Sequence, residues 1–384
     1  MTPATQTDPT NPGEPVPQSA QTDDHTLNTP RQRTHYIEGG PAGGPLMIFL
    51  HGWPSIGLMW RAQMDAFAAE GWRCIAPDLR GYGRSSAPAP NDAYTIEEVV
   101  GDMAELHDHL GGKPAIWVGH DWGSVVAGAL AAHEPERSRG VVLTSLAYFP
   151  DANALPTLVP LVDRTIYPAD QHPDGQWDYY RYYTTHFEAA VADLDADQAA
   201  SLASVFQTGS PATIGKVSPN ALVTRNGGRF GATHRAPPTQ ADPALWPPAD
   251  FDVLVRAFTA HGSRPPCAWY VNDDANIAYA RTAPDGGRLS QPVLFINGEW
   301  DQICSTTGKP SGRPDARGLH RPHRDEHARR TLAASGTQGR THPGHPHLAP
   351  KQKTLMASAR SESSWLPPFL TLEPPCALRV EARN

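Results

Sequence analysis

One ten-residue stretch, Ala115 to Ser124, limits what this chain can fold into. Ala115-Ile-Trp-Val118 is a short apolar run with the length of a buried strand. Gly119-His-Asp-Trp-Gly123 follows it, and Val125 to Ala132 continues as a helix of small apolar residues. A strand that turns directly into a helix through two glycines lifts the residue between them above the sheet. In so tight a turn a Cβ at either flank collides with strand or helix. The lifted side chain is Asp121, in front of a helix N-terminus whose dipole favours negative charge. A carboxylate placed there needs no base to act as a nucleophile. Asp121 as a mere helix cap is the competing account, and on these residues alone the two are close to balanced.

Composition narrows the field around that stretch. The chain has 384 residues and a formal net charge of −8, with no basic run, which argues against nucleic acid as a partner. Hydrophobic residues make up only 39% and proline reaches 40 residues, so parts of the chain are expected not to pack. Cys74, Cys267, Cys304 and Cys376 show neither metal-ligand spacing nor a disulfide framework. No apolar run approaches a membrane span, and Met1 to Arg33 lacks the apolar core of a secretory signal. The expectation is a soluble, reduced, cytoplasmic protein.

In chain order, residues 1–33 read as a disordered leader. Thr34 to Glu38 reads as a strand, with Gly39 to Gly44 as a hairpin turn after it. Leu46 to Leu50 is a buried strand that delivers His51-Gly-Trp-Pro54. Met59 to Glu70 is an amphipathic helix, and Arg73 to Asp78 the next strand, followed by the loop Leu79-Arg-Gly-Tyr-Gly-Arg-Ser-Ser86. Tyr94 to Leu110 is helical, with Thr95 as N-cap and Glu98 completing a capping box. Gly140 to Ser145 is a further strand. Solid apolar strands alternating with helices predict an α/β fold, its mostly parallel sheet covered by helices on both faces. From Tyr148 to Gly287 the chain turns aromatic and helical, with helices expected over Asp178 to Asp193 and Phe251 to Ala260. Pro292 to Asp301 then resumes the strand pattern. An insertion of this kind between two sheet strands makes a lid over the strand ends, where such sheets bind ligands.

On these motifs the stretch from Thr34 to Thr307 resembles an α/β-hydrolase, and within that fold the epoxide hydrolases. The resemblance rests on His51-Gly-Trp-Pro54, on Gly81-Tyr-Gly-Arg-Ser-Ser86, on Gly119-His-Asp-Trp-Gly123, and on the strand–lid–strand order. It implies a core over 34–148 and 288–307, a helical lid over 149–287 inserted after the sixth strand, and an aberrant or disordered tail over 308–384. Asp121 is then the attacking carboxylate that forms an ester with an epoxide carbon. Tyr183, three residues before His186-Phe187, and Tyr270, in Trp269-Tyr-Val-Asn272, are the expected donors to the epoxide oxygen; Tyr182 is a rival to Tyr183. His51, Trp53 and Trp122 line the pocket, the amides of Trp53 and Trp122 serving an oxyanion, and Trp53-Pro54 is expected to be cis. Asp301 would orient the water-activating histidine, with Glu299 as runner-up. No cofactor or metal is implied; the partners are a small hydrophobic epoxide and water. A haloalkane or haloacid dehalogenase shares the Asp nucleophile and Trp122, but it needs halide donors rather than two phenols. A ligand-binding homologue without activity is the reading from a different class.

The pattern breaks after Thr307. The base histidine should follow Asp301 by roughly thirty residues, in a Gly-His-Trp-like stretch after one more strand. From Lys309 to Asn384 there is no Ile and a single Val, Val380, so the last strand and helix are missing from the pattern. His320, His323, His327, His342, His345 and His347 sit among Arg, Pro and Gly, the setting of a solvated tail. Codons permitted for Gly318 to Lys353, read one nucleotide later, allow a strand, a Gly-His-Trp and an amphipathic helix. A slip of reading frame near Gly308-Lys309 accounts for the break.

Overall fold

The computed structural model describes residues 22–298 and 300–304, together with the backbone of 378–382. Eight strands form one sheet: β1 (Asp23–Asn28), β2 (Arg33–Gly39), β3 (Leu46–Leu50), β4 (Arg73–Pro77), β5 (Ala115–His120), β6 (Ser138–Thr144), β7 (Val293–Gly298) and β8 (Leu378–Ala382). Their order is β1-β2-β4-β3-β5-β6-β7-β8, parallel from β4 to β7 and antiparallel at both margins.

Strand composition explains that order. In β3 all five positions are buried, Leu46, Ile48 and Leu50 toward one face and Met47 and Phe49 toward the other. A strand apolar on both faces takes a central place. The first face carries α2 (Ile96–His109) and α3 (Trp122–His133), and the second carries α1 (Arg61–Ala69) through Met64. Thr95 caps α2 by accepting the Glu98 amide, a contact worth about 1 kcal/mol. The Glu98 carboxylate, instead of closing the box, pairs with Arg31 and Arg80.

Four expectations are corrected. Gly39 to Gly44 does not close a hairpin, because β4 lies between β2 and β3 and pairs with both. Residues 23–28, within the expected leader, form β1 along β2. β1 is polar and largely exposed, a composition that suits an edge strand as well as it suits a disordered leader. The edge beside β7 is occupied: residues 378–382, within the tail expected to lack a strand, pair with it antiparallel as β8. The helix expected over Asp178 to Asp193 breaks at His186, whose φ −130 and ψ 44 leave helical space.

Between β6 and β7 run seven helices: α4 (Leu155–Leu158), α5 (Asp178–Thr185), α6 (Phe187–Asp195), α7 (Gln198–Val205), α8 (Pro248–His261), α9 (Arg264–Ala268) and α10 (Asp273–Ala280). Their aromatic side chains join the core above the C-terminal ends of β3 and β5. No described helix is long and apolar enough to cross a membrane.

Candidate active site

Asp121 stands between β5 and α3 with φ 54 and ψ −124. That conformation costs a non-glycine residue roughly 1–3 kcal/mol and persists only where its surroundings enforce it. They do so here. A Cβ at Gly119 would lie 2.3 Å from the Gly123 carbonyl oxygen, and one at Gly123 would lie 2.1 Å from that of Leu50. Thr144 at the end of β6 fastens the turn: its carbonyl accepts the Asp121 amide at 3.2 Å and the Ser124 hydroxyl at 2.9 Å. Its own hydroxyl donates to the Gly119 carbonyl at 2.9 Å.

The carboxylate is half-buried, and the backbone after β3 meets it. The Trp53 amide donates to Asp121 Oδ1 at 2.8 Å, and the Trp122 amide donates as well. Burial raises the Asp121 pKa; both amides and His120 oppose the rise, and Asp301 adds to it. Gly52 admits this approach, since a Cβ there would lie 2.4 Å from the Asp121 Cβ. The Trp53-Pro54 bond is cis. His51 lies beneath as a brace. Its Nδ1 bonds the Gly52 carbonyl at 3.0 Å and its Nε2 accepts the Leu79 amide at 2.9 Å. Burial pushes its pKa down to about 4, so it is a neutral hydrogen-bonding wedge with both nitrogens engaged.

Above the carboxylate is a roof of aromatic rings. Tyr270 meets Trp122 edge-on with centroids 5.2 Å apart, and lies 6.5 Å from Trp53. Tyr179 meets Tyr270 edge-on, with ring centroids 5.8 Å apart. Both phenols are buried and held protonated, their pKa values raised by burial and by the Asp121 charge among other neighbours. Tyr183 packs on Tyr270 at 5.2 Å, and its hydroxyl oxygen accepts from the Arg229 guanidinium at 3.3 Å. Tyr182 turns away, bonding the Gly227 carbonyl at 3.2 Å and stacking on His186. Tyr180 donates to Asp273 at 2.5 Å.

Of the α5 tyrosines expected or neighbouring those expected, Tyr179 is the one within electrostatic reach of both Asp121 and Tyr270, while the expected Tyr183 packs on Tyr270 and meets Arg229. The two rivals weighed were Tyr182 and Tyr183. The missed signal was helical phase: Tyr179 lies four residues before Tyr183 and shares its face of α5. Tyr82 was also missed. It is fully buried against His51 and Trp269, its hydroxyl has no partner among the described residues, and Asp121 lies within electrostatic reach.

Asp301 follows β7. Its Oδ1 accepts the amides of Ile303 and Cys304 at 2.8 and 3.0 Å, so the carboxylate fastens its own turn while its charge reaches Asp121. Glu299 and the tail histidines lie outside the described residues. Among the described residues no cluster of three or more His, Cys, Asp or Glu could hold a metal ion.

This geometry can be set beside known proteins. Residues 45–207 match the alpha/beta hydrolase fold family. The chain is 31% identical to epoxide hydrolase A of Mycobacterium tuberculosis over 282 residues, 73% of this chain and 83% of that protein. The chain belongs to the epoxide hydrolase family. To epoxide hydrolase B of the same organism it is 31% identical over 304 residues, covering 72% of this chain and 83% of the relative. Among solved structures, epoxide hydrolase A from Mycobacterium thermoresistibile superposes with a TM-score of 0.62 at 27% identity, over 78% of this chain and 90% of that one. An epoxide hydrolase from an endophytic Streptomyces gives 0.59 at 30%, over 74% and 81%. An epoxide hydrolase-like chain of this fold is a hydrolase enzyme, as the sequence motifs implied.

Proposed function

We propose that the chain opens a hydrophobic epoxide through an ester on Asp121. Asp121 Oδ2 attacks an epoxide carbon while the ring C–O bond breaks. The departing oxygen takes a proton from the Tyr179–Tyr270 pair, so a β-hydroxy ester forms. Water then adds to the ester carbonyl. Its oxyanion is held by the amides of Trp53 and Trp122, and collapse breaks the ester C–O bond. One proton of the water goes to the leaving diol oxygen and the other returns to the phenolate, so a vicinal diol leaves and carboxylate and phenol are restored. The observation that carries this reading is the half-buried carboxylate, gripped by an amide at 2.8 Å, within electrostatic reach of the buried phenols of Tyr179 and Tyr270. The phenol pair also favours an oxirane over a halide, since an alkoxide leaving group needs an acid and a halide does not.

The two half-reactions make different demands. Ester formation uses only Asp121 and the phenols. Hydrolysis also needs a base, and His51 is unsuited to that role because both ring nitrogens are engaged and it stays neutral. We therefore expect the ester to accumulate. Full-length chain mixed with styrene oxide should gain the mass of one epoxide, mapped to Asp121, in a stoichiometric burst with little diol. Folded chain that gives neither adduct nor diol overturns the proposal. Sustained diol production keeps the ester route and means that a tail histidine supplies the base.

A further inference from the structure

Three lid arginines are held by carboxylates. Arg181 pairs with Asp174 at 3.0 Å, Arg235 with Asp197 at 2.7 Å, and Arg264 with Glu188. Arg229 is half-buried at the catalytic cleft, and among the described residues no carboxylate lies within 4.0 Å of its guanidinium. Its carbon lies 5.1 Å from the centroid of the Trp53 ring, and Nη1 donates to the Tyr183 hydroxyl at 3.3 Å.

The chain goes to some length to hold it there. The Arg229 amide donates to Asp193 Oδ2 at 3.2 Å, and the other oxygen of that buried carboxylate is taken by His234 at 2.8 Å. The preceding Gly228 has φ +148 and passes so near that a Cβ would lie 2.4 Å from Asp193 Oδ2. Asp193 thus anchors the backbone of Arg229 and leaves its head group facing the cleft.

The neighbours of that head group are donors. The Tyr183 oxygen accepts from Arg229, so its own proton remains to be given. The Trp53 indole Nε1–H, on the ring beneath the guanidinium, is buried with no acceptor among the described residues. The remaining guanidinium N–H groups, the phenol proton and the indole N–H, for which no acceptor is found among the described residues, are complementary to an oxyanion. We propose that Arg229, Tyr183 and Trp53 form a subsite for a negatively charged group, and that the epoxides this chain takes carry a carboxylate. The chain's net charge of −8 gives such a substrate no long-range attraction, so selection falls to this one local cation.

This inference rests on the epoxide-opening reading above, and its test separates the two. Para-oxiranylbenzoate and para-oxiranylbenzamide differ in charge and little in shape. Formation of the Asp121 adduct is followed by intact mass under single-turnover conditions with the full chain. The wild type should prefer the benzoate by about tenfold or more at low salt, the scale of one charge-assisted hydrogen bond, and added salt should reduce that preference. Arg229→Gln should erase the preference, and Arg229→Lys should keep part of it. Equal rates for the two epoxides in the wild type overturn the subsite while leaving the hydrolase reading intact. So does an Arg229→Gln variant that slows both epoxides in the same proportion, which marks a structural role. Should Arg229→Gln fail to fold, the salt dependence in the wild type and the Arg229→Lys ratio decide the matter. No adduct with either epoxide on folded wild-type chain overturns the hydrolase reading, and the subsite with it.

Discussion

The C-terminal ends of β5 and β7 bring two aspartates within electrostatic reach of each other, yet the structure treats them differently. β5 is flanked by β3 and β6, and Asp121 leaves it in a strained conformation enforced by backbone on several sides. β7 is partly exposed at five of its six positions, and its other neighbour is the antiparallel β8. Asp301 satisfies Oδ1 on its own turn. Strain can be held only where neighbours leave no alternative, which is why the strained Asp121, the proposed nucleophile, leaves an enclosed strand. The exposed end needs only a local turn.

That contrast can be broken, first by removing the nucleophile. Asp121→Asn, a residue that tolerates positive φ, should lower epoxide adduct formation by roughly 10⁴-fold or more, read by intact mass. The same variant should be more stable than the wild type at neutral pH. Burial raises the Asp121 pKa, so between the ordinary carboxylate value and the raised one the native state holds more protons than the unfolded state. Wild-type stability therefore falls as pH rises through that window, and the advantage of Asn should shrink as pH is lowered. Thermal midpoints of the two proteins across pH check the sign. Adduct formation by the wild type should itself decline on acidification, beginning above the usual carboxylate range.

Next come the phenols. Tyr179→Phe and Tyr270→Phe should each slow adduct formation by about a hundredfold or more, the weight of a general acid, while Tyr183→Phe slows the neutral benzamide probe by less than about tenfold. Equal losses for Tyr179 and Tyr183 would erase the distinction drawn from the reach of Tyr179 to Asp121.

Two glycines compare the strand ends in stability alone. Gly123→Ala forces a Cβ onto the Leu50 carbonyl and should cost about 3 kcal/mol or more in urea unfolding. Gly298→Ala meets nothing nearer than the Asp301 Cβ at 3.4 Å and should cost less than about 1 kcal/mol. The smallest expected effect is Asp301→Asn, which should change the rate of ester formation by no more than about threefold. A larger loss would mean that Asp301 acts in the first half-reaction.

Much of this arrangement could be read from residues in order. The Gly-x-Asp-x-Gly turn, the apolar strands and the loop His51 to Pro54 are local patterns, each tied to a backbone geometry its own residues impose. They led to Asp121, Trp53, Trp122 and Tyr270, which the fold brings together. Three features were settled only by contacts between distant segments. Which hydroxyl of α5 meets a cation depends on where Arg229, 46 residues beyond Tyr183, places its guanidinium. Whether residues 23–28 form a strand depends on β2 offering an edge. Whether Gly39 to Gly44 closes a hairpin depends on β4 competing for the same edge. A turn or an apolar run carries its own sterics and hydration, so sequence determines it. A hydroxyl's partner and a strand's neighbour are choices among competitors, and only the packed chain makes them.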